Sequence, residues 1–248
     1  PSQVAVGVPA GIIKMVFALR SHMEACPDHI LLKLDFANAF NTMSRLAVLN
    51  VCLKVPRWRK FYRFLWAMLS PASHIKGIPA LSEEGMQQGD TWGSACFCIG
   101  SHPDVQWANE TLQTRGGMAV FDMDDGYLAG PPDVVFSTAT ELARRMRQRC
   151  GVHLNVSKCQ AWSPTQGLVR TALDAHPETP FQLGAVPGWI RGPGQGVVVS
   201  GVPVGDAYFI EFHVQAKVSA VLSQTTKIES SLRLVSPQNL FALLVYCA

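Results

Sequence analysis

The sequence has little net charge, few charged residues and no regular repeat. Twenty-one Lys and Arg against 18 Asp and Glu leave a formal net charge of +3, which is too small to indicate a polyanionic partner by itself. The 20 glycines and 16 prolines follow no period, which excludes collagen-like and repeat architectures. Because 48% of the 248 residues are hydrophobic, the composition supplies a packed core and excludes a disordered chain.

Long hydrophobic runs are absent as well. No apolar stretch is long enough for a membrane span and no charged-then-apolar leader opens the chain, so we expect a soluble protein that is not exported. The seven cysteines are irregularly spaced and the seven histidines show no metal-ligand spacing. We therefore expect reduced thiols in an intracellular protein, with Cys96 and Cys98 packed as small apolar side chains. The sequence opens without methionine and stops inside an apolar helical pattern, which favours a fragment of a longer protein.

Hydrophobic periodicity predicts an α+β fold. Residues 10–25 have the spacing of a helix, and residues 30–34 (ILLKL) have the pattern of a buried strand. Further helices are predicted at 44–69, 93–110 and 136–149, and further strands at 74–79, 118–121 and 152–156. Helices and short strands mix without βαβ regularity, which favours the α+β class.

Three aspartates lie at predicted strand ends or turns. Asp35 directly follows the 30–34 strand, whereas Asp124 and Asp125 precede Gly126 between two apolar runs. An Asp-Gly pair in that setting predicts a hairpin whose central residues have positive φ, with both aspartates at its tip. If the strand and the hairpin are neighbours, the carboxylates converge and would suit Mg²⁺. Otherwise, Asp-Asp-Gly is an ordinary turn.

Five segments in chain order resemble the motifs of reverse transcriptases. Residues 34–41 (LDFANAFN) look like motif A, 85–90 (GMQQGD) like motif B, 121–126 (FDMDDG) like motif C, 151–158 (GVHLNVSK) like motif D and 201–205 (GVPVG) like motif E. Residues 3–20 are similar to the end of the fingers in the enzymes of non-LTR retrotransposons and group II introns. The resemblance implies the palm of a right-hand polymerase, in which helices back an antiparallel sheet.

The resemblance also implies a domain organisation and an activity. Partial fingers would occupy residues 1–28 and 46–87, the palm 29–45 and 88–205, and the start of a thumb 206–248. The activity would be RNA-directed DNA synthesis, in which a primer 3′-hydroxyl attacks the α-phosphate of a dNTP and pyrophosphate leaves. The partners would be an RNA template, a DNA primer and dNTPs, without a membrane, and the nucleus is the expected compartment by analogy.

The motif residues acquire roles through this resemblance. Asp35, Asp124 and Asp125 would bind two Mg²⁺ ions, and Phe36 would be a further contact to metal and nucleotide. Phe40 would lie under the incoming sugar and exclude a 2′-hydroxyl. Without the resemblance, Phe40 is a core aromatic residue.

Three further residues are assigned by motifs B and D. Gln88 and Gly89 would contact the incoming nucleotide and the template, where glycine permits close backbone approach. Lys158 would approach the leaving phosphates, where an ammonium group stabilises developing charge. Taken alone, Lys158 is an ordinary surface lysine.

Two basic segments allow two interpretations each. Within residues 57–63 (RWRKFYR), the cations that would contact template–primer phosphates are Arg57, Arg59, Lys60 and Arg63. Trp58 or Tyr62 would pack or stack beside them. The arginine run at 144–149 is the second segment. Either segment is also compatible with a solvated helix face.

The chain departs from the motifs at two places. Asp122 stands where motif C usually has an aromatic residue, and Thr91-Trp92 stands where motif B usually continues with Pro-Leu. Two alternatives therefore stay open beside the polymerase. One is a non-catalytic nucleic-acid-binding remnant, and the other is a structural domain whose three aspartates never meet.

Overall fold

A computed structural model describes residues 2–4, 8–69, 73–74, 81–82, 84–86, 92–177, 179, 181–183, 195–232 and 238. The α-helices are α1 (Gly11–Ala25), α2 (Ala39–Thr42), α3 (Arg45–Lys54), α4 (Tyr62–Leu69), α5 (Gly93–Gln113), α6 (Pro132–Arg145), α7 (Leu168–Ala175) and α8 (Ala207–Leu232). The strands are β1 (Ile30–Leu34), β2 (Phe36–Ala37), β3 (Ser73–His74), β4 (Leu81–Ser82), β5 (Met118–Asp122), β6 (Asp125–Gly130), β7 (His153–Leu154), β8 (Gln160–Trp162), β9 (Gln182–Leu183), β10 (Gly196–Val199) and β11 (Val202–Gly205). No helix in these ranges is both long and apolar enough to cross a membrane.

A five-stranded sheet in the order β5-β6-β1-β8-β9 organises the molecule. β1 runs antiparallel to β6 on one side and to β8 on the other, and β9 runs parallel to β8. The two-stranded ladders β2-β7, β3-β4 and β10-β11 are all antiparallel. The α+β class is therefore confirmed, with helices packed on sheets of mainly antiparallel strands.

The central sheet is buried on both faces. Leu32 and Leu34 belong to a core cluster with residues of α5 and α6, such as Phe97 and Phe136. Since side chains alternate along a strand, Leu31 faces the opposite way. Leu31 belongs to a second cluster with residues of α1 and of the β10-β11 hairpin. β1 therefore reads as a nearly continuous apolar run, as expected for a strand covered on both sides.

Most predicted elements are present near their predicted bounds. α1 matches the predicted 10–25 helix, and the 44–69 region contains α3, α4 and a 3₁₀ turn at Arg59–Phe61. α6 starts at Pro132, earlier than predicted, because proline fits the first helical turn, where its missing N–H is not needed. A π-helical turn at Met146–Cys150 continues α6 to Gly151, which has a φ of 70°.

The 118–130 hairpin is confirmed, but its predicted turn is displaced. Phe121 pairs with Gly126 and Asp122 with Asp125, so the two turn residues are Met123 and Asp124. Met123 takes the positive φ, 55°. Gly126 is a strand residue instead, and the position requires glycine because a Cβ there would lie 2.5 Å from the Phe121 ring. Asp124 is thus at the tip, whereas Asp125 begins β6.

The strand predicted at 152–156 is shorter than expected. Only His153 and Leu154 pair with another strand, β2, and Val156–Lys158 forms a 3₁₀ turn. The chain turns there because Asn155 N–H donates to Asp35 O (2.7 Å) and Lys158 N–H donates to Asn155 O (3.0 Å). Of the strand predicted at 74–79, His74 lies in β3 and residues 75–79 lie outside the described residues.

Candidate active site

Four aspartates meet at one end of the central sheet. Leu34 pairs with Gly126, so Asp35 follows at the position beside Asp125. Asp122 pairs with Asp125 across the hairpin, and Asp124 lies in the turn between them. Asp35, Asp124 and Asp125 are all partly buried. The structure therefore brings together the three aspartates of motifs A and C, which are 89 to 90 positions apart in the sequence, and it disagrees with the alternative in which they never meet.

In this acidic cluster of Asp35, Asp122, Asp124 and Asp125, the surroundings disfavour the ionised forms of Asp124 and Asp125. Burial raises the pKa of Asp124, and the neighbouring charges of Asp35 and Asp122 raise it further, against a backbone hydrogen bond that lowers it. Burial likewise raises the pKa of Asp125, and Asp124 and Asp35 add to the effect, while Lys33 opposes it. Holding like charges close together in a partly desolvated site costs free energy, and a bound cation would remove this cost.

Two lysines partly offset the negative charge. Lys33 lies within the otherwise apolar β1 and donates from Nζ to Val198 O (3.2 Å), beside the hairpin β10-β11. Its charge lowers the pKa of Asp125. Lys158 Nζ lies 4.0 Å from Asp35 Oδ2, and the lysine side chain is 67% exposed. Lys158 is predicted from motif D, whereas Lys33 is not predicted, although a lone lysine in a buried strand is a recognisable signal.

The motif D segment is attached to the backbone of motif A. Asn155 N–H donates to Asp35 O, and Phe36 pairs with Leu154 in the short β2-β7 ladder. Phe36 itself is 4% exposed, so its ring is part of the core. Any contact of Phe36 with a metal or nucleotide would have to use its backbone. These bonds position Lys158 at the edge of the acidic cluster.

Motifs A and B are also in direct contact. Met86 N–H donates to Phe40 O (2.8 Å), and Arg45 Nε donates to Gly85 O (2.9 Å). Gly85 has a φ of 70°, and a Cβ there would lie 2.1 Å from Asn41 O, so this approach requires glycine. The Phe40 ring is partly buried at 5.2 Å from the Phe97 ring. Gln88 and Gly89 lie outside the described residues.

The turn that carries Asp124 is held by the N-terminal segment. Phe121 N–H donates to Ser2 O (2.7 Å) and Val4 N–H donates to Phe121 O (3.0 Å). The Gln3 amide donates to Met123 O (3.0 Å) and accepts from Met123 N–H (3.2 Å). One side chain thus satisfies both backbone groups of the positive-φ residue. The sequence analysis misses this role because the two residues are 120 positions apart.

Asp122, the departure from motif C, has a partner in the motif E hairpin. Ser200 Oγ donates to Asp122 Oδ2 (2.8 Å), and Ser200 N–H donates to Tyr127 Oη (2.9 Å). Burial and the charge of Asp125 raise the pKa of Tyr127 to about 12, so the phenol stays protonated. The polar side chain at 122 therefore replaces packing with a hydrogen bond to the turn between β10 and β11.

The two basic segments differ in structure. In the first, Arg57, Arg59, Lys60 and Arg63 are all exposed. Arg57 and Lys60 lie 4.8 Å and 5.1 Å from the ring centroids of Trp58 and Phe61. Trp58 and Tyr62 are partly buried and pack against the core, so they act as packing groups. The exposed large aromatic side chains of this surface are Phe61, Phe64 and Trp66.

The arginines of the second segment have partners within the chain. Arg144 and Arg145 both form ion pairs with Glu141, and Arg145 also lies 4.0 Å above the Trp107 ring. Arg149 Nε donates to Asp104 Oδ2 (2.9 Å), and a second guanidinium nitrogen donates to Gly100 O (2.6 Å). Arg144, Arg145 and Arg149 therefore make contacts within the chain, which differs from a purely solvated helix face.

No family model matches the chain, and no curated protein matches it. Solved structures similar in fold include two telomerases. Apo telomerase from Candida tropicalis has a TM-score of 0.53 at 10% identity over 65% of this chain and 33% of that chain. Telomerase from Candida albicans in complex with a TWJ fragment of telomeric RNA has a TM-score of 0.50 at 11% identity over 83% of this chain and 35% of that chain. The chain spans about a third of these structures, and the likeness shows a fold of the reverse-transcriptase type.

Proposed function

We propose that this chain is the polymerase core of an RNA-directed DNA polymerase of the non-LTR retrotransposon or group II intron type. The observation that carries the proposal is the convergence of Asp35, Asp124 and Asp125 at one sheet end. Among the described residues, Lys33 and Lys158 partly offset the negative charge of this cluster. The order and spacing of the five motifs agree with it. The domain assignment of fingers, palm and thumb belongs to the same proposal.

The residues of the acidic cluster fit Mg²⁺. Carboxylate oxygens are the donors that this hard cation prefers, and one or two protein carboxylates together with substrate phosphates complete its usual shell. When bound, two Mg²⁺ ions would stabilise the attacking and leaving oxygens of phosphoryl transfer. Asp35 and Asp124 would hold them, with Asp125 as the third acidic member.

The remaining residues would position the substrates. Lys158, exposed and close to Asp35, is long enough to reach an anionic leaving group. Phe40 presents a ring fixed against Phe97, and a fixed ring excludes a 2′-hydroxyl by contact alone. An RNA template and a DNA primer would lie along the exposed basic segment 57–63, whose cations suit phosphates. The exposed rings of Phe61, Phe64 and Trp66 beside these cations suit bases.

Primer extension on an RNA template with Mg²⁺ and dNTPs tests the proposal. The chain and a longer form extended at both ends are each compared with Asp124→Asn, which keeps the size of the side chain but removes its charge. We expect incorporation to fall by at least about 100-fold in Asp124→Asn, as for loss of a group that stabilises transition-state charge. The matched control is Asp174→Asn, an exposed aspartate of α7, which should retain full incorporation.

Two outcomes would contradict the proposal. Incorporation that survives Asp124→Asn would show that the acidic cluster is not the active site. Salt-sensitive duplex binding without incorporation by either form would favour the non-catalytic remnant, in which the basic segment persists without turnover.

A further inference from the structure

A second group of potential metal ligands lies at the opposite end of β1 from the acidic cluster. His22 is in the last turn of α1, Cys26 follows that helix, and His29 immediately precedes β1. One ligand atom from each of the three lies within 4.8 Å of the other two. We predicted no metal-ligand spacing among the histidines, and this prediction is wrong here. His22, Cys26 and His29 follow the pattern H-x₃-C-x₂-H.

The two imidazoles point nitrogen atoms at each other. His22 Nε2 lies 2.9 Å from His29 Nδ1, with the ring centroids 5.1 Å apart. One proton joins the two nitrogens in the metal-free pair. If each ring carries its proton on the other nitrogen, both of these nitrogens offer a lone pair, and Cys26 Sγ lies within 4.8 Å of one nitrogen of each ring.

The backbone fixes this arrangement. Cys26 N–H donates to His22 O (2.9 Å) and His29 N–H donates to Cys26 O (3.1 Å), so the ligands lie on one closed turn. Ser163 Oγ donates to His29 O (2.7 Å) and Thr165 Oγ1 donates to Pro27 O (2.6 Å), which anchors the turn to the segment after β8. Because these ligands are already held in place, less conformational entropy is lost when a metal binds.

We infer that His22, Cys26 and His29 bind one zinc ion. Imidazole nitrogen with thiolate sulfur is the donor set that zinc prefers, and three protein ligands leave one tetrahedral position for water. On binding, the Cys26 thiol loses its proton to solvent and forms the Zn–S bond. His29 is 9% exposed and the other two ligands are partly buried, so the site is shielded but accessible.

The zinc site would stabilise the fold and take no part in the proposed reaction. His29 and Asp35 are six positions apart along an extended strand, which corresponds to roughly 20 Å. The ion would join the end of α1 to the start of β1, the strand that leads to the acidic cluster. The inference therefore does not depend on the proposed function.

Titration with Co²⁺ in place of zinc tests the site, because a cysteine–cobalt bond gives a near-ultraviolet charge-transfer absorption that carboxylates do not give. We expect this absorption to saturate at one Co²⁺ per chain and to be lost on displacement by Zn²⁺, and we expect a rise in melting temperature with Zn²⁺. Cys26→Ser should weaken binding by at least about 100-fold and abolish the absorption. His22→Gln should weaken binding to a similar extent.

Two controls separate this site from other ligands. His153→Gln changes an exposed histidine of β7 and should leave the absorption intact. Asp124→Asn should leave it intact as well, since the acidic cluster offers oxygen donors. Absorption that persists in Cys26→Ser, or that disappears in Asp124→Asn, would overturn the inference, as would a stoichiometry near zero in the folded protein. Mg²⁺-dependent incorporation is measured separately, so failure of one proposal is distinguishable from failure of the other.

Discussion

Asp104 and Asp124 are both carboxylates that folding withdraws from water, but their surroundings are opposite. Asp104, on α5, is 3% exposed and receives hydrogen bonds from the guanidinium of Arg149. Asp124 faces Asp35 and Asp122, which raise its pKa in addition to the effect of burial. A compensated carboxylate ties two helical segments together, whereas a cluster of like charges that lysines compensate only in part is costly to the free protein.

The strongest test of this comparison removes the compensation at Asp104. Arg149→Leu leaves a buried carboxylate without its cation and should lower the free energy of unfolding by about 3 kcal/mol, as in other broken buried pairs. Denaturant unfolding measures the loss. Arg147→Leu, in the same π-helical turn but exposed, is the matched control and should change stability by less than about 0.5 kcal/mol. Equal losses in both variants would mean that the Asp104 pair does not matter for stability.

The next test removes the charge of Asp124 from the acidic cluster. Because the pKa of Asp124 is raised in the folded state, its ionisation weakens folding as the pH rises through that pKa, and this effect is absent below the unfolded-state value. At neutral pH without divalent cations, Asp124→Asn should therefore be more stable than the parent, by roughly 1 to 3 °C in melting temperature.

Magnesium should abolish that difference. Mg²⁺ should raise the melting temperature of the parent chain and leave Asp124→Asn almost unchanged, since the ligand stabilises only the form that binds it. Thermal unfolding at pH 5 and pH 8, with and without Mg²⁺, measures both effects. A destabilised Asp124→Asn would show that this carboxylate is compensated like Asp104.

An effect of similar size concerns the support of the acidic turn. Gln3→Ala removes both hydrogen bonds to Met123 and should lower stability by about 1 kcal/mol. If Gln3 positions Asp124, the variant should also lose more of the Mg²⁺-induced rise in melting temperature than its own loss of stability explains. Gln166→Ala, an exposed glutamine in the turn before α7, is the control and should retain the full rise.

Local sequence patterns predict the elements of this fold better than they predict its contacts. α1 and β1 follow from spacing and apolar runs, and the hairpin follows from its two flanking strands. The position of the turn does not, because the Phe121 ring and Gln3 decide which residues bend, and neither effect is visible in an Asp-Gly pair.

The candidate site shows the same division. The motif resemblance identifies Asp35, Asp124, Asp125 and Lys158 as a set, and the structure brings them to one sheet end. Lys33 and Ser200 escape prediction because their roles depend on β10-β11 packing beside β1. The histidine–cysteine group is not predicted either, although its three residues lie within eight positions. Their ligand atoms come together because the chain turns from a helix into a strand there.

The Ser200 contact also connects the acidic turn to α8. A single residue, Asp206, separates the β10-β11 hairpin from α8, and its carboxylate accepts from Phe209 N–H (2.8 Å) in the first turn of α8 and from Gln195 N–H (2.6 Å) at the base of the hairpin. The start of α8 is thus fixed to the base of the hairpin, and Ser200 in the turn of the hairpin forms a hydrogen bond to Asp122. The hydrogen bonds of Asp206 and Ser200 therefore connect the start of α8 to the acidic turn through a single hairpin.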